Sequence, residues 1–258
     1  MTQQSIKNQW ALVIGGSSGL GWASAAQLAE DGYHLCIVHR TRRSALKEFE
    51  AKALALEEHG IQVLQFNQNA LATETINKVL LELPKQSVAV LIHSIAKGSL
   101  KPMNTSEGAL QIEDLNITLH AMATNWYQWT QLAINTDRLA HSVCNVAFTS
   151  EGNNKVWPGY GAVSAAKATL EALMRQMAVE FAPKGIRTNC IQAGTTITPS
   201  FEMIPGSEQL AKMAEKRNPF QRLTTPKDIG NVVSILSSEK GAWINGTVLI
   251  ADGGEHLR

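Results

Sequence analysis

The stretch that most constrains the fold is Trp10-Ala-Leu-Val-Ile14, followed directly by Gly15-Gly-Ser-Ser-Gly19-Leu-Gly21. A short apolar run bounded by glycine reads as a buried strand. From Trp22 to Asp31 the apolar positions recur at helical spacing, so a helix follows the glycines. A strand, a glycine-rich turn and a helix in that order form a cradle for a phosphate. Gly15 permits the turn, Gly19 allows close backbone approach, and Gly21 lets the helix pack on the sheet. Ser17, Ser18 and Leu20 complete the loop. An ordinary strand–helix connection can carry similar glycines, but the position after the first strand favours a dinucleotide site.

The rest of the chain repeats the alternation. Strands are expected at His34 to Val38, Ile61 to Phe66, Val88 to Ile92, Ser142 to Thr149, Gly185 to Gln192 and Thr247 to Ala251. Between them lie helical stretches at Ser44 to His59, Thr73 to Leu83, within Glu107 to Leu139 from near Leu110, at Tyr160 to Phe181, and from Thr225-Pro onward. Seven strands alternating with helices specify an α/β protein, a single-domain Rossmann-like doubly wound parallel sheet with helices on both faces. Residues 1–258 are read as one dinucleotide-binding and catalytic domain, with a substrate lid at 195–220 inside it. The lid follows from the irregular Pro199 to Pro219 stretch, since long loops in compact domains are usually functional.

Composition narrows the function classes. Hydrophobic residues make up 44% and charged residues 17% of the chain, an ordinary globular balance. The net charge of +1 with no dominant basic run argues against nucleic acid as a partner. No apolar run approaches the roughly 20 residues that span a bilayer. The polar start, Met1 to Gln9, lacks the pattern of a signal peptide. Cys36, Cys144 and Cys190 sit singly in apolar runs, as buried free thiols of a reducing, cytoplasmic compartment do. No metal site is expected.

Candidate site residues fall where strands end. After the second strand come Arg40, Arg42 and Arg43 with no carboxylate nearby. Guanidinium forks suit a 2′-phosphate and an acidic residue would suit a ribose diol, so NADP (NADPH) is preferred, with NAD as the alternative. Asn69-Ala70 after the third strand is placed to meet the adenine or to cap the next helix. Ser94, Ile95 and Ala96 follow His93 at the end of a central strand, where ligands bind in open α/β sheets. Ser150 ends the fifth strand, and Tyr160 and Lys167 follow on a helix, two turns apart on one face. A phenol beside a fixed ammonium is a proton donor whose anion is stabilised. Trp126 and Trp129 are expected to pack on the sheet or on a neighbouring subunit.

These landmarks, together with Ala193-Gly194 and the terminal Asp252-Gly253-Gly254, resemble the short-chain dehydrogenase/reductase family over essentially the whole chain. Within it the chain is similar to the bacterial enoyl-acyl carrier protein reductases, NADPH-using branch. Most family members separate tyrosine and lysine by three residues; here Val163 stands at that place and the spacing is Tyr160-x6-Lys167. His93-Ser94-Ile95-Ala96 replaces the usual Asn-Asn-Ala-Gly, and Ala193-Gly194 replaces Pro-Gly. Ser150 departs the other way: many enoyl reductases carry a second tyrosine there. Ile14 stands where threonine is common, and His120 falls by spacing near the helix asparagine of the ordinary relay.

The resemblance implies NAD(P)H-dependent reduction of the trans-2 double bond of an enoyl thioester, carried on acyl carrier protein during fatty acid synthesis. Tyr160 would donate to the thioester oxygen and Lys167 would hold the nicotinamide ribose. Gly194, the backbone at Ile197 and the Thr198 hydroxyl would meet the carboxamide or pyrophosphate. Ser150 would orient substrate or nicotinamide, or simply end its strand. The resemblance also implies a homotetramer built through the long helices. A carbonyl reductase acting on 3-oxoacyl thioesters is the alternative, and a cofactor-binding regulator without catalysis is a second.

Overall fold

The computed structural model describes residues 8–258; most of the polar start, Met1 to Gln9, lies outside the described residues. The opening unit forms as its glycines require: β1 (Trp10–Ile14), a turn, then α1 (Gly19–Glu30). The helix begins inside the glycine motif, three residues earlier than the apolar periodicity indicates. The alternation continues through β2 (His34–His39), α2 (Arg43–Leu54), β3 (Val63–Asn67), α3 (Thr73–Glu82) and β4 (Val88–His93). Next come α4 (Ile112–Leu119), a π-helical turn (His120–Thr124), α5 (Asn125–Asn135) and β5 (Leu139–Thr149). The second half contains α6 (Gly161–Glu180), β6 (Ile186–Ala193), α7 (Pro199–Glu202), α8 (Ser207–Arg217), α9 (Pro226–Ser237) and β7 (Val248–Ala251).

All seven strands pair in parallel in the order β3-β2-β1-β4-β5-β6-β7. The chain grows outward from β1 on one side and then from β4 on the other. The turn after β1 and the loop after β4 therefore open side by side, with Ile14 in register with His93. Such a switch point is where a doubly wound sheet binds its ligand.

The inner strands bury both faces, the edge strands β3 and β7 less completely, and alternate residues serve different cores. Ala11, Val13, Leu35 and Ile37 join the cluster under α1, α2 and α9. Leu12, Ile14, Cys36 and Val38 join the cluster under α3, α5 and α6. Trp126 and Trp129 are fully buried in the second cluster, against the sheet of their own chain. Their indole N–H groups find partners: Trp126 Nε1 donates to Asn145 Oδ1 at 2.7 Å and Trp129 Nε1 to the Ala70 carbonyl at 3.0 Å.

Four expectations change. The segment expected as one helix from near Leu110 begins at Ile112, ends at Asn135 and is interrupted by the π turn, while β5 starts at Leu139 instead of Ser142. The stretch expected as a lid holds two helices, α7 and α8, instead of one short run. Asn69 does not cap α3, whose N-cap is Ala72; its side chain closes a local turn by accepting from the Leu71 N–H at 3.3 Å. All three cysteines are buried and unpaired. Among the described residues no helix is long and apolar enough to cross a membrane, and no cluster of metal-ligating side chains occurs.

Candidate active site

The glycine turn is shaped by what its neighbours leave free. Gly15 has φ +89°, and a Cβ there would lie 2.5 Å from the Ser94 carbonyl oxygen. Gly19, at φ +55°, would place a Cβ 3.1 Å from Thr198 Cγ2. The turn thus touches the loops after β4 and β6, bringing together residues far apart in sequence. Gly21 has a more local task than packing on the sheet: its missing Cβ makes room for the Gly15 carbonyl and the Ser94 side chain. Ser18 stands at the N-cap of α1 without a side-chain cap bond, so the first helical N–H groups remain open to an anion. This cradle fits a dinucleotide pyrophosphate.

At the end of β2, His39 is buried and its Nδ1 lies 2.8 Å from Thr41 Oγ1. Asn67 pairs with the Thr41 backbone twice, accepting from its N–H and donating to its carbonyl, both at 3.1 Å. These bonds hold the loop that carries Arg40 and Arg42, whose side chains are exposed. Asn69 is exposed nearby, and Ala70 is buried with its carbonyl taken by Asn125 and Trp129. Beyond β6, Ile197 is exposed, while Thr198 caps α7 by accepting from the Phe201 N–H at 3.2 Å. The Thr198 hydroxyl keeps its own proton free to donate. Gly194 is enclosed by Thr224 and Asp252, so its lack of a side chain serves packing of the loop.

Tyr160 is the N-cap residue of α6, with its ring lying across Gly152 and packed against the small cluster of Ala121, Met122, Val163 and Ala166. Burial raises the phenol's pKa, and the neighbouring Ser150 hydroxyl acts in the opposite direction. That hydroxyl is buried and makes no well-formed hydrogen bond, so it remains available. Lys167 is buried, and its ammonium donates to the Phe148 carbonyl at 2.6 Å. Burial pushes it down to about 8, with Cys190 and Glu171 partly opposing the shift. The ammonium is directed at the strand end that carries Ser150, and the Ser150 hydroxyl lies beside the phenol.

Further groups complete the site that sequence spacing alone did not single out. His93 is buried, with Nε2 3.3 Å from Asn125 Oδ1, and burial holds it down to about 3, so it is neutral at ordinary pH. Asn125, just after the π turn, donates in turn to the Ala70 carbonyl at 3.2 Å. His120 faces elsewhere, with Nε2 3.4 Å from the Leu71 carbonyl and Nδ1 3.2 Å from Thr124 Oγ1. The irregular segment 94–111 passes Tyr160 closely: a Cβ on Gly159 would lie 2.7 Å from the Leu100 carbonyl oxygen, and one on Gly161 2.6 Å from Met103 Cε. At the end of α8, one Arg217 nitrogen donates to Glu151 at 3.0 Å and Glu255 at 2.6 Å. Glu255 also receives the N–H and hydroxyl of Thr195 at 2.9 and 2.8 Å.

A family model described as enoyl-(acyl carrier protein) reductase matches residues 15–256, nearly the whole chain. The chain belongs to the short-chain dehydrogenase/reductase family. Its members are oxidoreductases, and several lie at a similar distance in sequence. The short chain dehydrogenase penD of Penicillium thymicola is 30% identical over 97% of this chain and 92% of the relative. A tropinone reductase homologue of Arabidopsis thaliana is 27% identical over 97% of this chain and 91% of its own length. Among solved structures, FabI from Candidatus Liberibacter asiaticus superposes with a TM-score of 0.83 at 21% identity, covering 97% of this chain and 96% of that one. A short-chain dehydrogenase from Burkholderia cenocepacia, solved with NADP, superposes at 0.82 and 23% identity over 97% and 99%. At such identities the superpositions establish the fold.

Proposed function

We propose that the chain is an NADPH-dependent reductase of the double bond in trans-2-enoyl thioesters. The observation that carries the reading is the place of Tyr160. Of the three tyrosines, Tyr33 bonds the Ser237 carbonyl and Tyr127 stacks on Phe181. Only Tyr160 adjoins Ser150. Val163, where a three-residue spacing would put the phenol, is buried against Ala121, Met122 and Ala166. The wider spacing is thus built into the packing of α6.

The glycine turn, Ser94, Ile95, Ala96, Ile197 and Thr198 would hold the dinucleotide. When bound, the cofactor supplies a hydride to the β-carbon. Tyr160 donates its phenolic proton toward the thioester oxygen, on which negative charge accumulates, and a donor placed there is the largest catalytic contribution. Ser150 steadies the phenol through its free hydroxyl. Lys167, charged below about pH 8, supplies positive potential and a donor for the nicotinamide ribose. Arg40 and Arg42 support NADPH over NADH, since no carboxylate stands between His34 and Arg43 to accept a ribose diol. The proposal extends to an acyl carrier protein thioester as substrate, a homotetramer as the assembly and the cytoplasm as the compartment.

A second reading, reduction of a 3-oxoacyl thioester, is supported by Ser150 itself, because a serine beside the phenol also suits a carbonyl oxygen. Crotonyl- and acetoacetyl-coenzyme A, each with NADPH and with NADH, separate the two readings. Faster oxidation of NADPH by crotonyl-coenzyme A is expected, with turnover reduced at least 100-fold in Tyr160→Phe. Turnover of the acetoacetyl thioester alone would replace the first reading by the second. Cofactor binding without either turnover would favour a regulator.

A further inference from the structure

We infer that Glu171 is a positioning residue of this site: its carboxylate fixes the turn that carries Ser150 and so aims the free serine hydroxyl at Tyr160. The inference rests on the reading of Ser150, Tyr160 and Lys167 as the reacting group. Glu171 lies four residues after Lys167, one turn along α6 on the same face. A single oxygen, Oε1, accepts from Thr149 Oγ1 at 2.5 Å and from Asn153 Nδ2 at 2.6 Å. These donors bracket Ser150, one before it and one three residues after. Lys167 adds a third tie by donating to the carbonyl of Phe148 at 2.6 Å.

Three tethers from one helix face therefore hold the end of β5 and the turn beyond it. Side chains alternate along a strand, so directing Thr149 at α6 turns Ser150 the other way. There its hydroxyl sits beside the phenol, buried and without a well-formed hydrogen bond. Bonds to an ionised acceptor are roughly twice as strong as neutral ones, which suits a carboxylate to this task. An exposed helix glutamate with no such role would have no reason to concentrate two donors from one turn on one oxygen.

The same carboxylate contributes to the field at Lys167. The groups that interact with that ammonium are Glu171 on α6, Cys190 on β6 and His93 on β4. The cysteine is held in its neutral thiol form and His93 is uncharged at working pH, which leaves Glu171 as the charge that favours the ammonium.

Glu171→Ala and Glu171→Gln separate the two effects. Steady-state kinetics with crotonyl-coenzyme A and NADPH would be run across pH 6 to 10 on the roughly neutral-to-alkaline limb. Binding of NADPH would be followed by its fluorescence and folding by thermal melting. Glu171→Ala is expected to lower kcat by about 10- to 100-fold, with NADPH affinity changed less than about threefold. Glu171→Gln keeps an acceptor oxygen; it should recover most of kcat near pH 7 while its alkaline limb moves to lower pH. The inference is overturned if Glu171→Ala retains wild-type kcat, or if Glu171→Gln is folded, equally impaired and unshifted in pH. If Glu171→Ala does not fold, the glutamine variant's pH limb decides alone. Tyr160→Phe measured alongside separates the failures: full turnover in that variant sinks the reading of the site, whereas its loss with an indifferent Glu171 sinks only this inference.

Discussion

Lys167 shows how one buried charge ties stability to activity. Its ammonium is held down to about 8 from 10.5, chiefly by burial. Between these values the unfolded chain binds more protons than the folded one, so this group makes stability rise with pH from about 8 to 10.5. Below pH 8 the burial cost is fully present. On the proposed mechanism activity runs the other way, with the ammonium as the working form, and kcat is expected to fall as pH rises through about 8. Lys167→Met should therefore lose turnover while unfolding in urea at pH 7 no more easily than the parent, the relieved charge being worth roughly 3 kcal/mol before the lost Phe148 bond is counted. A marked loss of stability at pH 7 would contradict this balance. The identity of Lys167 was legible because a lysine on an otherwise packed helix face stands out. Its partner was not, since the Phe148 carbonyl is a backbone group that any residue presents. Glu171 carried a signal that periodicity could have used, its place one turn beyond Lys167.

At the scale of elements, the loops decide the chemistry and the regular segments decide where the loops meet. Helix α8 ends at Arg217, whose guanidinium joins the Ser150 turn through Glu151 and the C-terminal turn through Glu255. Glu255 is only 2% exposed, so removing its cation leaves a buried carboxylate held by Thr195 alone. Arg217→Met should destabilise the protein by roughly 2 kcal/mol, less than a fully buried pair would lose because the arginine is partly solvated. Limited proteolysis should then cut the 199–217 stretch faster, and on the proposed function KM for crotonyl-coenzyme A should rise. Unchanged cleavage would show that α8 is held by other contacts. This latch joins residues 66 and 38 positions apart, and no local pattern announces it. The π turn at His120–Thr124 is likewise invisible to a 3.6-residue period, although it sets the helix phase in which Asn125 meets His93. The glycine turn was legible to the residue, because backbone at positive φ and close approach demand glycine.

For the whole molecule, two cores on opposite faces of one parallel sheet make the scaffold. Trp126 illustrates the coupling between them and the strands: its ring fills the second core while its N–H satisfies Asn145, which also donates to Thr130 at 3.2 Å. Trp126→Phe should cost about 1 to 3 kcal/mol in denaturant unfolding, since a buried amide oxygen loses its donor. An Asn145→Leu background should shrink that cost, and equal costs in both backgrounds would show that ring volume dominates.

The alternation of apolar runs and helical periods determined the α/β class, the seven strands and the phosphate cradle, because each depends on neighbours within a few residues. Spacing also located Tyr160, Lys167 and Ser150 as candidates. Tertiary structure alone decided what those groups do to each other. It turned Lys167 toward Phe148, left the Ser150 hydroxyl free beside the phenol, and brought Glu171 to both flanks of that serine. Such contacts join strand end to helix face across the sheet, and their distances are set by packing, which no run of adjacent residues encodes.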